Sequence, residues 1–354
     1  MPIPTEPIGS IPRSPDLQQA MKRHAEGALP AEELDSLIDE AVRETIELFE
    51  ATGSPVITDG EQSKPSFATY PLSNLDNLAP DGVVIPFEDG HTRQLPRLTG
   101  GPFEYSTFAG SFLQRAQQYA TKPLKQSVIS ASAMSLLYPQ TGIEGYSREQ
   151  FMEELIEQSV NDIRTCLDNG AYHVQIDFTE GRLAVKLDPS KGLLQQFIDL
   201  NNQVLSHFSD EERRRIGVHT CPGGDHDSTH SADVPYKDLI PHLMQLNVGN
   251  FYMQMANEKE PEEVLPLVAE QLGDSQHVYI GVIDVINEEV ESPETVRDRV
   301  LTAAEYIPVD QLGTTDDCGF SPFGDDTATD RNIAFEKIKS RVRGTEMASE
   351  ELGV

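Results

Sequence analysis

The sequence predicts an α/β fold, a parallel (β/α)8 barrel with an insertion after the second strand, and three observations support this prediction. Short β-branched runs alternate with longer amphipathic stretches about eight times along the 354 residues. No repeat or low-complexity tract interrupts the alternation. Hydrophobic residues make up 38% of the chain, which suffices for a large core. Alternation of this length is typical of a barrel, and a doubly wound open sheet is the competing architecture.

Eight apolar runs are predicted as strands. The clearest five cover residues 128–132, 173–178, 216–220, 251–255 and 278–284. They are rich in β-branched and aromatic side chains, which favour extended backbone. The eight predicted strands end near Ser10, Asp59, Ser130, Asp177, His219, Gln254, Asp284 and Asp316. Chemistry in a barrel lies at the carboxyl ends of the strands, so these positions are the first candidates for a functional site.

Between the strands, apolar residues recur at three- and four-residue spacings, which predicts helices. The predicted helices cover residues 32–50, 148–170, 192–208, 261–273, 293–307 and 332–342. Gly170 and Gly273 supply helix stops of the usual glycine kind.

Residues 62–121 do not follow the alternation. They hold only weak strand signals before a short helix-like run at 110–120. We therefore predict an insertion that carries a β-hairpin and lies near the barrel mouth. Residues 1–354, with the insertion at about 62–121, are expected to form a single barrel domain.

Composition and charge exclude several classes of protein. The 27 basic and 59 acidic residues give a net charge of −32, which repels phosphate backbones and argues against a nucleic-acid binder. No apolar run approaches the roughly 20 residues of a membrane helix. The first 15 residues lack the basic and apolar regions of a secretory signal, and three cysteines are too few for a disulfide framework. We expect a cytoplasmic protein with no membrane or nucleic-acid partner.

A histidine and two cysteines form the first candidate site. His219 and Cys221 are two residues apart, so in an extended segment both side chains point to one face. Cys318 follows the last predicted strand. One histidine with two cysteines suits Zn²⁺ and leaves a fourth position open for a substrate. From spacing alone, a buried core histidine and cysteine are an equally good interpretation. Cys166 lies inside an amphipathic helix and is predicted to be core.

The loop after Cys221 adds two more histidines. His226 and His230 are four residues apart and could share a metal only if the segment were helical. Its glycine, aspartate and serine residues favour a loop, so the histidines are expected to face solvent or substrate. No glycine-rich phosphate-binding motif occurs in the chain.

Other polar residues also follow predicted strands. Ser10, Glu61, Asp177 and Asp284 stand at or near four different strand ends. Carboxylates are common in loops, but several around one candidate metal are a stronger signal. Glu61 and Asp177 could bind the ammonium group of an amino-acid substrate, since a buried cation needs anionic partners.

Several short motifs together resemble a known family. In chain order they are IGSIP (8–12), DGE (59–61), VQID (174–177), IGVHTC (216–221), IGVIDV (280–285) and TDDCGF (315–320). They resemble the catalytic half of cobalamin-independent methionine synthase over nearly the whole chain. The resemblance implies a (β/α)8 barrel, zinc on His219, Cys221 and Cys318, and homocysteine at Ile8, Ser10, Glu61 and Asp177. It also implies that Asp177 and Asp284 are catalytic carboxylates.

Two positions depart from the family pattern. Gln254 stands where long synthases have a glutamate zinc ligand, and Ile286 stands where they have a proton-transferring histidine. We therefore expect methyl transfer to homocysteine, with polyglutamylated methyl-folate a poor donor. Alkyl transfer to another thiol, as in epoxyalkane:coenzyme M transferase, is the alternative. A decarboxylase of the related porphyrin branch fits less well, because it needs basic residues and no zinc.

The expectation that polyglutamylated methyl-folate is a poor donor also depends on the charge near the barrel mouth. A polyanionic donor would need basic residues there, and the candidates near predicted mouth loops are Arg13, Lys122, Lys125, Arg182 and Lys186. Each of them is expected to be an ordinary surface charge.

Overall fold

Six parallel strands form the centre of the protein in a computed structural model that describes residues 1–354. The strands of the chain are β1 (Leu78–Ala79), β2 (Val84–Pro86), β3 (Thr92–Gln94), β4 (Arg97–Leu98), β5 (Gln126–Ile129), β6 (Val174–Asp177), β7 (Ile216–Thr220), β8 (Gly224–Asp225), β9 (Ser228–Thr229), β10 (Asn250–Met253), β11 (His277–Ile283) and β12 (Leu312–Asp316). The central sheet has the order β12-β11-β10-β7-β6-β5, and all its pairs are parallel.

Two extended segments continue this sheet at its edges. Thr5 forms a parallel bridge with Thr314 of β12, and Ile57 forms one with Leu124 beside β5. The two segments also contact each other, since the Ile11 amide donates to the Gly60 carbonyl at 3.0 Å. Eight extended segments thus follow one another around a ring, which agrees with the predicted α/β barrel class.

The first two predicted strands are not regular strands. The segments that end near Ser10 and Asp59 make only isolated bridges. The first segment contains Pro2, Pro4 and Pro7, which have no backbone N–H to donate to a ladder. The other six predicted strand ends agree with the structure within about a residue.

Helices cover the outside of the sheet, and all six predicted helices occur. The helices are α1 (Pro15–Ala25), α2 (Ala31–Ala51), α3 (Gly110–Ala116), α4 (Ala131–Ser135), α5 (Arg148–Asp168), α6 (Glu180–Leu187), α7 (Gly192–Leu205), α8 (Asp210–Arg213), α9 (Ile240–Leu243), α10 (Pro261–Gln271), α11 (Pro293–Ala304) and α12 (Arg331–Leu352). One continuous apolar core joins their inner faces to the strands. None of the helices combines the length and apolarity that crossing a membrane would require.

The insertion carries the predicted hairpin. β2 pairs antiparallel with β3, and β1 pairs antiparallel with β4. Leu98 at the end of β4 is fully buried, and its amide donates to the Leu137 carbonyl at 2.8 Å. This contact fixes the base of the hairpin to the body of the protein.

Candidate metal centre and substrate cavity

His219, Cys221 and Cys318 lie together at the carboxyl ends of β7 and β12. His219 is within β7, Cys221 follows that strand directly, and Cys318 lies two residues beyond β12. The two sulfur atoms are 3.0 Å apart. The candidate ligand atoms of the three residues all lie within 4.8 Å of one another, and all three side chains are buried. The structure therefore brings the three predicted metal ligands into one cluster.

The hydrogen bonds of His219 leave one ring nitrogen free for a metal. Nδ1 lies 3.2 Å from the Tyr252 carbonyl oxygen, which can only accept, so Nδ1 carries the proton in the neutral ring. Nε2 then presents a lone pair, and it is buried without any hydrogen-bond partner. A buried unpaired acceptor beside two thiols fits a thiophilic cation of the zinc type.

The surroundings of Cys318 disfavour ionisation of its thiol. Its hydrogen bond with Cys221, its burial and the Cys221 charge together raise the pKa of Cys318 well above the ordinary value. A bound cation would stabilise its thiolate. Cys166 is fully buried in α5, as predicted.

A cavity of about 1200 Å³ opens beside this cluster. Its wall includes all four residues predicted to bind the substrate, namely Ile8, Ser10, Glu61 and Asp177, together with His219 and Cys318. A cavity of this size can hold more than one small molecule. The metal cluster and the predicted substrate residues therefore share one space.

Glu61 has one carboxylate oxygen anchored and one without a partner. Oε1 accepts from Lys64 Nζ at 2.9 Å and from the Ser127 hydroxyl. The Glu61 amide donates to Asp59 Oδ1 at 2.9 Å, which holds the backbone in a left-handed conformation at φ 56°. Burial raises the pKa of Glu61, but Lys64 and Ser127 outweigh it and hold the pKa below its ordinary value.

Asp177 ends β6 and lines the same cavity. Its Oδ1 accepts from Gln175 Nε2 at 2.7 Å. Burial, together with the charge of Glu61, raises the pKa of Asp177 to about 6. Two carboxylates that are ionised near neutral pH thus line one cavity, and a cation there would relieve their repulsion.

Ser10 and Ile8 position the amino-terminal segment. Ser10 Oγ accepts from the Ser321 amide at 3.2 Å, which ties the segment to the loop that carries Cys318. A Cβ atom at Gly319 would lie 2.1 Å from Ser10 Oγ, so a larger residue beside the cysteine would displace the Ser10 hydroxyl from its bond with Ser321. Ile8 packs against Tyr252 and Tyr279 under the cavity.

The hairpin of the insertion covers the cavity mouth. Ile85, Phe87, Arg93 and Leu95 all line the cavity. Arg93 donates to Asp225 Oδ1 at 3.0 Å and to Asp325 Oδ2 at 2.9 Å. Those carboxylates stand on the loops that follow Cys221 and Cys318, so Arg93 joins both loops to the hairpin. Only the position of the insertion near the mouth was predicted, and this contact was not.

The predicted loop after Cys221 is a tight β8–β9 hairpin. His226 lies at its turn with φ 47°, so His226 and His230 do not share a helix. His230 lines the large cavity and is buried. Asp225, His226 and Asp326 also lie close together. Arg93 forms an ion pair with Asp225, so an arginine side chain already balances charge in this second group.

A second cavity of about 760 Å³ meets the first at Gly224 and Cys318. Gln254, Asp284 and Ile286 line it. Asp284 Oδ1 accepts from the Ile286 amide at 3.0 Å. Gln254 Oε1 accepts from Arg182 at 2.7 Å. Asp177 and Asp284, the two predicted catalytic carboxylates, therefore line different cavities on either side of Cys318.

Three of the basic residues expected at the surface are buried, and that prediction was wrong. Arg13 bonds the carbonyl oxygens of Glu61 and Lys64, and Lys125 lies 3.9 Å from the Tyr252 ring centre. Arg182 is 2% exposed beside Gln254. Their partners are distant in sequence, so composition could not reveal their burial. Lys122 is exposed and Lys186 partly so, as expected.

Two other basic residues lie at the rim of the large cavity. Lys22 and Arg23, at the end of α1, line it and make no ion pair with any carboxylate of the chain. No sequence pattern marked these two residues as part of a site. Cations at a helix carboxyl end are common because they complement the helix dipole.

Comparisons with known proteins identify a family and a shared fold. Residues 3–333 match the family described as cobalamin-independent synthase, catalytic domain. A methionine synthase from Sulfurisphaera tokodaii is 24% identical over 99% of this chain and 94% of its own length. One from Saccharolobus solfataricus is 22% identical over 99% and 96%. The structure of a B12-independent methionine synthase from a Shewanella species, in complex with selenomethionine, has the same fold, with a TM-score of 0.78 and 19% identity over 99% of both chains.

Proposed function

The chain belongs to the cobalamin-independent synthase catalytic-domain family, and we propose that this methyltransferase is zinc-dependent and methylates homocysteine to give methionine. One observation carries the proposal. His219, Cys221 and Cys318 form a soft ligand set, and two of them line the cavity that also contains Glu61 and Asp177. A thiol-binding metal and an ammonium-binding pair of carboxylates in one space match an amino acid that carries a thiol.

The three ligands would supply the metal site. His219 would bind through Nε2, the nitrogen that has no partner, while the Tyr252 carbonyl fixes its ring through Nδ1. Cys221 and Cys318 would bind as thiolates. When bound, zinc would lower the pKa of the substrate thiol and so keep its sulfur nucleophilic near neutral pH.

The cavity residues would orient the amino acid. Glu61 and Asp177 would accept hydrogen bonds from its α-ammonium, which places the side-chain thiol toward Cys318. The hairpin that carries Phe87 and Arg93 would restrict water at the mouth. A sulfur lone pair forms the new bond to carbon, and the donor keeps the electron pair of the bond that breaks.

We propose that the methyl donor binds in the second cavity. That cavity meets the first at Cys318, where the acceptor sulfur would lie, and Asp284 would orient the donor there as the second catalytic carboxylate. Ile286 lines the same cavity and cannot donate a proton. We therefore propose that methyl-folate triglutamate is a poor donor. Lys22 and Arg23, at the rim of the large cavity, are positively charged and would attract the anionic glutamate tail of this donor. The triglutamate is therefore included in the assay.

A donor comparison tests the proposed function. The zinc-loaded protein is incubated with homocysteine and with methyl-folate, its triglutamate or a methyl-corrinoid, and methionine is quantified. We expect methionine, with less from the triglutamate than from the best donor. Efficient turnover of the triglutamate would show that it is not a poor donor and would leave homocysteine methylation standing. Absence of methionine with every donor, together with alkylation of a sulfonate thiol by an epoxide, would replace homocysteine methylation by the alternative reaction.

A further inference from the structure

We propose that Lys64 is a positioning residue that fixes the carboxylate of Glu61 for recognition of the substrate amino group. This inference rests on the proposed function, in which Glu61 binds the α-ammonium of an amino-acid thiol. It assigns a role to a lysine that contacts neither the metal cluster nor the open part of the cavity.

Lys64 has no access to solvent, and its contacts converge on one oxygen of Glu61. Its side chain is 0% exposed, and Nζ lies 2.9 Å from Glu61 Oε1. Nζ also donates to the Ser127 carbonyl at 3.0 Å and to the Ser127 hydroxyl at 2.9 Å. The Ser127 hydroxyl donates in turn to Glu61 Oε1. Oε1 is thus held from two directions, and Oε2 is left for a ligand.

The local charge gives Lys64 a second effect on Glu61. Asp59, Glu61 and Asp177 are buried close together, and Lys64 is the ammonium group among them. Carboxylates in such a group repel one another, so removing Lys64 would favour protonation or displacement of Glu61. A protonated or displaced Glu61 cannot accept the substrate ammonium as a charged partner. Lys64 therefore acts on the substrate through Glu61.

The cost of burying Lys64 also argues for a role beyond packing. The ammonium lies 4.6 Å from the centre of the Tyr70 ring, in a space with no water access. A buried ion pair adds little net stability, and apolar residues of similar volume often replace one without loss. The pair keeps Glu61 ionised and oriented, which an apolar residue at position 64 could not do.

Ligand binding to the zinc-loaded full chain tests the inference without knowledge of the donor. Calorimetry compares homocysteine with 4-mercaptobutyrate, which has the same thiol and carboxylate but lacks the amino group. The wild type should bind homocysteine more tightly by at least roughly ten- to a hundredfold, since Glu61 and Asp177 each supply a charge-assisted contact to the amino group. Lys64→Met should lose the Glu61 part of that preference, roughly tenfold or more, by weakening homocysteine only. Bound zinc should stay unchanged.

Two further variants keep the test decisive. Lys337→Met removes an equally buried lysine from a 2.9 Å pair with Glu291, so it measures the cost of losing a buried lysine–glutamate pair. Its preference for homocysteine should match that of the wild type. Ser127→Ala removes a smaller group from the same Glu61 oxygen and should reduce the preference in the same direction. If Lys64→Met does not fold, Ser127→Ala carries the test.

The outcomes separate the two proposals. A reduced amino-group preference in Lys64→Met, with zinc retained, supports the inference, and a reduced preference in Ser127→Ala supports it if Lys64→Met does not fold. A full preference in folded Lys64→Met, or in Ser127→Ala if Lys64→Met does not fold, overturns the role of Lys64 and leaves the proposed function standing. A wild type that binds both thiols equally overturns the ammonium-binding role of Glu61, and the inference fails with it.

Discussion

At the scale of single residues, the two cavity carboxylates have the most direct predicted effect on substrate binding. Glu61→Gln and Asp177→Asn keep the shape of each side chain but remove its charge. Each should weaken homocysteine binding roughly ten- to a hundredfold, because one charge-assisted hydrogen bond is lost. Calorimetry on the zinc-loaded variants measures this. Asp238→Asn, at a carboxylate outside both cavities that pairs with Lys191, is the matched control.

The same two variants distinguish homocysteine from thiols that lack an amino group. Their zinc content should equal that of the wild type, because neither Glu61 nor Asp177 is one of the three proposed metal ligands. Unchanged homocysteine affinity in both Glu61→Gln and Asp177→Asn would mean that the acceptor is a thiol without an amino group.

A buried glutamate outside the reaction gives a pH prediction. Ser130 and Ser132 both donate to Glu180, and burial raises its pKa from 4.5 to about 7. The folded state therefore holds a proton between these pH values that the unfolded state releases, so Glu180 lowers stability as pH rises through this window. Glu180→Gln removes that effect and should gain stability relative to the wild type from pH 4.5 to 7.

Urea unfolding of both proteins across this range measures the difference. The free energy of unfolding of the variant minus that of the wild type should increase toward pH 7 and then level off. Two curves that stay parallel over the whole range would show that folding does not raise the pKa of Glu180.

The candidate site shows which single residues a sequence can reveal. His219, Cys221 and Cys318 were predicted because their chemistry and strand-end positions coincide. Lys64 and Arg93 were missed, since an isolated basic residue has no sequence signal for the carboxylate it will meet. Arg93 reaches Asp225, which is 132 residues away. Long-range pairing of this kind is decided only by the fold.

At the scale of elements, the hairpin over the mouth depends on one arginine. Arg93 bridges Asp225 and Asp325 and stacks 4.2 Å from the Phe323 ring centre. Arg93→Ala leaves the buried Asp225 carboxylate with two histidine partners, His91 at 3.0 Å and His226 at 3.9 Å, and with no arginine. We expect a loss of about 2 kcal/mol in unfolding free energy, less than for a fully buried pair because Arg93 is partly exposed.

Hydrogen exchange and urea unfolding test the role of Arg93. Amides at 84–94 should exchange faster in Arg93→Ala, because the hairpin loses its attachment. Arg97→Ala breaks an exposed pair with Asp81 in the same insertion and should cost less than about 1 kcal/mol. Equal protection of the hairpin in wild type and Arg93→Ala would contradict the attachment.

The second half of helix α12 was not predicted, because its buried residues are not strongly apolar. The pattern predicted residues 332–342, and the helix continues to Leu352. Its second half buries Thr345, Ala348 and Ser349, which are small and only weakly apolar. Their burial is set by packing against the protein and not by hydrophobicity. The long amphipathic helices and the apolar strands carry stronger patterns, and these were predicted nearly to their ends.

At the scale of the whole molecule, charge is the dominant feature. With 59 acidic and 27 basic residues, like-charge repulsion favours expanded states over the folded one. Salt screens this repulsion, and the Debye length falls from about 10 Å at 0.1 M to about 3 Å at 1 M. We expect the thermal midpoint to rise by several degrees between 0.1 and 2 M KCl, measured by circular dichroism. A midpoint that falls with added KCl would show that ion pairs outweigh the net repulsion.

The central claim is that His219, Cys221 and Cys318 hold one zinc ion. Elemental analysis of the purified wild type and of its cysteine variants tests this most directly. We predict about one equivalent of zinc in the wild type and in Cys166→Ser, whose sulfur is buried in α5, and a large loss in Cys221→Ser and Cys318→Ser. Full zinc content in both ligand variants would contradict the claim.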